Sequence, residues 1–144
     1  MEYHRTSFSL NSRGFTILEL LVSVAIIGIL AALTVVIVNG VRAKGRDGRR
    51  VQDITQIQNA LNLYYTNKGV FPVAASETIL QGNDAVSQAL INEHTIPEIP
   101  GDPSSPAYEY TYISATGTTY TISFCMETNT SQPYPEGCDN TVNP

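Results

Sequence analysis

From Phe15 to Val38 the chain runs for 24 residues with a single charge, Glu19. Wound as a helix at ~1.5 Å per residue, such a run is roughly 36 Å long, enough to cross the ~30 Å hydrocarbon layer of a bilayer. A membrane-crossing helix is therefore the first expectation. An ionised carboxylate left unpaired in lipid costs several kcal/mol. Glu19 must lie within about a turn of the interface, be protonated, or find a cationic partner. With so many apolar residues gathered here, the remaining hundred or so residues, from about 41 onward, can form one small head domain.

The first 14 residues, MEYHRTSFSLNSRG, are polar, contain Arg5 and Arg13, and end in Gly14. A secretory signal has a shorter apolar stretch and a small-x-small cleavage site, a role Ser23-Val24-Ala25 could fill. Cutting there would leave 13 apolar-run residues as a hydrophobic N-terminus, which argues against it. A cut between Gly14 and Phe15 would instead create an α-amino group one helical turn from Glu19. In staggered parallel helices that amine would meet the Glu19 of a neighbour, and the acid would then select register.

Arg13-Gly14-Phe15-Thr16-Ile17-Leu18-Glu19-Leu20-Leu21-Val22 resembles the N-terminal signature of type IV pilins and of the pseudopilins of type II secretion systems. The resemblance implies cleavage after Gly14 by a prepilin peptidase, N-methylation of Phe15, and assembly of a helical homopolymer whose core is the bundled N-terminal helices. It implies that Glu19 pairs with the N-terminus of an adjacent Phe15. An assembly platform protein and a cytoplasmic assembly ATPase would be further partners. The chain would sit in the inner or cytoplasmic membrane as a single-pass protein, head outside the cytoplasm, and then enter an extracellular filament on the cell surface. The implied fold class is α+β and pilin-like: a long N-terminal helix on a small antiparallel sheet with a disulfide-closed C-terminal loop. The expected organisation is a leader over 1–14, a membrane and filament-core helix over 15–38, an amphipathic continuation over 39–67, and a head over 68–144.

Arg42, Lys44, Arg46, Arg49 and Arg50 cluster after the apolar run, and by the positive-inside rule alone they would put the head in the cytoplasm. The resemblance implies the reverse orientation, which is the one adopted. The cluster reads as a solvated or lipid-headgroup-facing collar. From Val51 onward Lys68 is the one base against ten acids, a net charge of −9. Such a head repels phosphate backbones, and no nucleic acid is expected to bind it.

Val51, Ile54, Ile57, Leu61 and Tyr64 recur at spacings of three and four, the pattern of an amphipathic helix. With no proline before Pro72, helix is expected from Phe15 to about Asn67, stopped by Asn67-Lys68-Gly69. An irregular stretch follows, with a short helix at 83–92 capped by Asn83, then a proline-rich ordered loop over 96–106. Residues 108–113 and 118–126 read as a hairpin turning at 114–117, with Tyr108, Tyr110, Tyr112 and Tyr120 as core and sheet residues. The Asn/Thr/Pro-rich tail after Glu127 is expected to depend on a cysteine staple for its shape.

Cys125 and Cys138 have twelve residues between them and are expected to pair in a head outside the cytoplasm; a zinc site would need more ligands, with His94 the one addition at hand. Catalysis is not expected: His4 and His94 are the only histidines and neither has a nucleophile context, so the chain is not read as an enzyme. Major pseudopilins bind calcium in the C-terminal region, and Asp102, Glu136 and Asp139, with Glu109, are weak calcium candidates here; otherwise no cofactor is expected. GDPSSPAYEYTY also resembles the pre-hairpin loop of pseudopilins and small pilins but lacks the aromatic-Gly step after Asp102-Pro103. The cysteine pair looks like the closed C-terminal loop of type IV pilins. Both departures favour a pilus subunit over the alternative, a secretion pseudopilin. A single-pass anchored binding module that never polymerises is the alternative from another class.

Overall fold

The computed structural model describes residues 14–129, 131 and 133–144, with 34–36 described only by their place in a helix. Readings that fall on residues 1–13, including Arg5 and Arg13, lie outside the described residues. The elements in chain order are α1 (Ile17–Lys68), β1 (Ala74–Ile79), α2 (Ala85–Asn92), β2 (Thr111–Ser114), β3 (Thr121–Met126) and β4 (Gly137–Val142). They fall into two compact units, one up to Val38 and one over Asn39–Pro144.

The first unit is the start of α1. Among the described residues its large apolar side chains are uncovered: Phe15, just ahead of α1, is 76% exposed and Ile17 85%. By length and composition this helix can cross a membrane.

The second unit is built on the later turns of α1. Ile54, Ile57, Ala60 and Leu61 form a buried face at helical spacing, flanked by Val51 and Tyr64. Burying each large aliphatic side chain contributes about 1.5–3 kcal/mol. The helix stops at Gly69, whose φ of +76° is the left-handed conformation of a helix C-terminus and whose N–H reaches Tyr65 O at 2.7 Å.

The sheet is a four-stranded antiparallel meander in the order β1-β2-β3-β4. Its register pairs Tyr112 with Ile122 and Ile122 with Val142 on the inner face, and Thr111 with Ser123 and Ser123 with Thr141 on the outer face. Tyr110, Tyr112, Tyr120, Ile122, Phe124 and Met126 are buried in one cluster with the α1 face and with Leu80, Val86, Leu90, Ile96 and Ile99. Gly117 closes the β2–β3 connection at φ +75°; a Cβ there would stand 3.0 Å from Phe71 O, and its own carbonyl accepts from Phe71 N at 2.8 Å.

Several expectations need correction. The sheet has four strands, not a hairpin alone: β1 comes from the stretch read as irregular and β4 from the tail read as held by cysteines. Both are polar edge strands whose pairing partners, rather than their own residues, make them strands. α2 is capped by Asp84, not Asn83: its Oδ1 accepts from Ser87 N at 2.8 Å, with the backbone extended at φ −76°, ψ 162°. Tyr108 is not a core residue; its ring lies 5.1 Å from the Arg50 guanidinium.

Candidate functional site

At the N-terminal end, Thr16 and Glu19 form a reciprocal cap on α1. Thr16 N donates to Glu19 Oε2 at 3.0 Å and Thr16 Oγ1 to the same oxygen at 2.9 Å, while Glu19 N donates to Thr16 Oγ1 at 3.2 Å. This is a capping box, and its signal, Thr-x-x-Glu ahead of an apolar run, is legible in the sequence although the reading above did not use it. Glu19 therefore has a local partner within its own chain. Both bonds use Oε2, and Oε1 makes none among the described residues. Gly14 and Phe15 precede the cap and are exposed.

In the head, the basic collar is not uniformly solvated. Arg50 is fully buried and donates from Nε to Asp102 Oδ2 at 2.7 Å, from Nη2 to Asp102 Oδ1 at 3.0 Å, and from Nη1 to Asp47 Oδ1 at 2.8 Å. Its Nη1 also lies 2.8 Å from Glu127 Oε1. Arg46 forks onto Glu127, with Nε to Oε1 at 2.8 Å and Nη2 to Oε2. Asp47, also fully buried, accepts from the backbone N–H groups of Glu127 and Thr128 at 2.9 and 2.8 Å. One turn of α1 thus holds both the proline-rich loop, through Asp102, and the β3–β4 loop, through Glu127 and Thr128. Burial opposes the charge on Arg50, but the hydrogen bonds to Asp102 and Glu127 outweigh it and keep the guanidinium firmly protonated. The fork from Arg46 holds the Glu127 carboxyl down at about 2. Burial pushes Asp53 up, although Tyr110 Oη donates to it at 3.0 Å and Arg49 lies at 3.6 Å.

The collar expectation is therefore corrected: Arg46, Arg49 and Arg50 serve the head, and Arg42 and Lys44 alone stay exposed without an acid among the described residues. The sequence reading missed the network because two of its acids, Asp102 and Glu127, lie 52 residues from Arg50 and 81 from Arg46.

Cys125 and Cys138 are joined as a disulfide bridging β3 and β4. The weak calcium candidates are not brought together. Asp102 is committed to Arg50 and to Ser104 N, Glu136 accepts from Asn129, and Asp139 is exposed. Glu109 accepts from Ser105 Oγ. Among the described residues, no three His, Cys, Asp or Glu side chains are grouped as metal ligands.

Comparison with known proteins agrees with this architecture. Residues 9–35 match the family described as the prokaryotic N-terminal methylation motif. The chain is 32% identical over 109 residues to the type II secretion system core protein G of Vibrio cholerae serotype O1, covering 67% of this chain and 68% of the relative. It is 32% identical over 96 residues to the protein of that name from Escherichia coli strain K12, covering 67% of this chain and 60% of that one. With the Aeromonas hydrophila protein it shares 38% identity over 82 residues, 57% of this chain and 51% of the relative. No solved structure matches. The methylation motif and the apolar helix together fit a single-pass membrane-anchored protein. Motif, relatives, and the long helix with its small antiparallel sheet lead to one conclusion: the chain belongs to the pilin and pseudopilin family.

Proposed function

We propose that this chain is a pseudopilin: a non-enzymatic subunit that polymerises through α1 into a filament serving a type II secretion-like system. The observation that carries the reading is the uncovered apolar surface at the start of α1, broken by one acid whose Oε1 has no partner among the described residues. Before assembly a bilayer would cover that surface; afterwards the equivalent helices of other copies would. Cleavage after Gly14 by a prepilin peptidase would free the α-amino group of Phe15, and a separate transfer from a methyl donor would N-methylate it. That amine would meet Oε1 of a neighbour's Glu19, while Oε2 stays with its own Thr16. The buried acid would then be paired only in correct register, and register would follow from electrostatics. A platform protein and a cytoplasmic ATPase would extract the subunit with its head outside the cytoplasm. The secretion assignment is supported by the relatives, which carry the name type II secretion system core protein G.

The Cys125–Cys138 closure of the C-terminal loop favours the second reading, a type IV pilus subunit on the cell surface. Deleting the gene in the native cells separates the two. Loss of protein secretion with surface filaments intact is expected; loss of long surface filaments with secretion intact would move the chain to the pilus. Intact-mass analysis tests both against the anchored binding module. A chain starting at N-methylated Phe15 is expected, and one retaining residues 1–14 in cells that process other prepilins would overturn the polymerising readings.

A further inference from the structure

Cys125 is half-buried on β3 and Cys138 is exposed on β4, so the disulfide between them can be reached from solvent. Both cysteines line a hollow of about 180 Å³ on the outer face of the sheet, where Phe124 and the paired residues Thr111 and Ser123 lie beside them and Glu77 and Glu109 form its border. Glu77 accepts from Thr111 Oγ1 at 2.6 Å and Glu109 from Ser105 Oγ at 2.9 Å. A hydroxyl thus orients each carboxylate, and among the described residues no base lines the hollow.

Six head acids lack a basic partner among the described residues: Glu77, Asp84, Glu98, Glu109, Glu136 and Asp139. Four of the six gather at the disulfide, since Glu136 lies two residues before Cys138 and Asp139 directly follows it. Successive Cα atoms are about 3.8 Å apart and a hollow of this volume is about 7 Å across, distances comparable with the Debye length of about 8 Å at physiological ionic strength. Glu127, two residues after Cys125, brings no spare positive charge. Arg46 and Arg50, which hold it, are shared with Asp47 and Asp102, two bases against three acids.

We propose that Cys125–Cys138 is a thiol-exchange site whose acidic surround selects thiols by charge, favouring cationic and neutral ones over anionic ones. A thiolate attacks the exposed Sγ of Cys138; a sulfur–sulfur bond forms between them, the Cys138–Cys125 bond breaks, and Cys125 leaves as a thiolate that takes a proton from water. A second thiolate then attacks the reagent's sulfur, releasing Cys138 as a thiolate that is protonated in turn. Two reagent thiols are oxidised to one disulfide, and the protein disulfide is reduced to two thiols. Both steps gather negative charge beside Glu77, Glu109, Glu136 and Asp139, so a further anion on the reagent raises the barrier and a cation lowers it. The second half of the clasp depends on the outcome, because residues 126–137 carry Glu127 and Thr128. Neither polymerisation nor a membrane enters this selection.

Reduction of the folded full-length chain in detergent, by small thiols differing in charge, tests it. Cysteamine, 2-mercaptoethanol and 2-mercaptoethanesulfonate carry a cationic, a neutral and an anionic tail. Alkylation and intact mass follow the loss of the bond, and comparing each reagent's rate between variant and wild type cancels its intrinsic reactivity. E77Q/E109Q/E136Q/D139N is expected to speed the sulfonate about fivefold and cysteamine less than about twofold at low salt. E98Q removes an unpaired acid from a different hollow and is expected to change neither rate. Wild type alone gives an independent reading: in about 1 M salt, where the Debye length falls to about 3 Å, the sulfonate's rate is expected to rise relative to that of cysteamine. Equal acceleration of all three reagents in the fourfold variant would mean a loosened fold, and no acceleration an indifferent surround; either overturns the selection. So would a wild-type ratio that salt leaves constant, or an effect of E98Q as large as that of the four changes. Reduction of wild type at a rate independent of thiol concentration would show that the bond is reached only by unfolding, and would overturn it too.

Discussion

Arg50 places Nε and Nη2 on the two carboxylate oxygens of Asp102, 52 residues further along the chain, and both side chains are completely shielded from solvent. Removing Arg50 strands the buried carboxylates of Asp102 and Asp47, whereas removing Asp102 leaves Arg50 with Asp47 and Glu127 as its remaining carboxylate partners. Arg50→Ala is expected to destabilise the head by about 3–5 kcal/mol, and Asp102→Ala by less. Arg50→Met with Asp102→Leu should cost less than Arg50→Ala, because Asp102 is no longer stranded, although Asp47 still loses its Arg50 partner. Thermal unfolding of the detergent-solubilised full chain, followed by circular dichroism, checks the order.

Acid should loosen the same clasp from its Glu127 side. The folded-state pKa of about 2 lies below the ordinary 4.5, so the unfolded chain binds more protons between those values. Stability from this group is thus fully present above about pH 4.5 and is lost as pH falls toward 2, on the order of 1–2 kcal/mol after allowance for solvent screening. Asp53, pushed up by burial, works in the opposite direction and gains stability on protonation. Denaturant titrations between pH 6 and 2.5 should show Glu127→Gln with a flatter acid limb than wild type.

Reducing the Cys125–Cys138 bond frees a loop of twelve residues that carries Glu127 and Thr128, the groups that engage Arg46, Arg50 and Asp47. The chain-entropy contribution is about 3 kcal/mol for a loop of this size. Reductant is expected to lower the unfolding temperature and to expose residues 127–137 to protease before the rest of the sheet. Equal protease resistance with and without reductant would show that Asp47 holds the loop unaided.

Thr16 and Glu19 separate a local role from an intermolecular one. Thr16→Ala removes both bonds of the Thr16 hydroxyl, a cap worth about 0.5–2 kcal/mol at the start of α1, but leaves the Glu19 charge in place. Filaments are expected from that variant in amounts near wild type, and none from Glu19→Ala. Equal defects in the two variants would make Glu19 a helix cap and nothing more. The readout is the sheared filament fraction in cells lacking the wild-type gene.

Much of the fold was legible because it is local. A 24-residue apolar run, a three-and-four spacing of Ile54, Ile57 and Leu61, and Gly69 at the stop all write α1 into contiguous residues. Alternation in TISFCM did the same for β3. Ala74–Ile79 and Gly137–Val142 carry no such signal, being polar and weakly alternating. The charge cluster divided in a similar way: its composition showed in the sequence, while the destination of each side chain did not.

The sequence by itself determined the membrane-competent helix, the acid one turn inside it, the motif that places the chain in its family, and an acidic head bearing two cysteines. Periodicity and composition act over a few neighbouring residues, and they suffice for those features. Only the tertiary structure decided that Arg50 is buried against Asp102, that Arg42 and Lys44 are left over, and that two polar segments complete a four-stranded sheet. Each of these depends on partners tens of residues away, brought together when the faces of α1 and the sheet leave water in a single core.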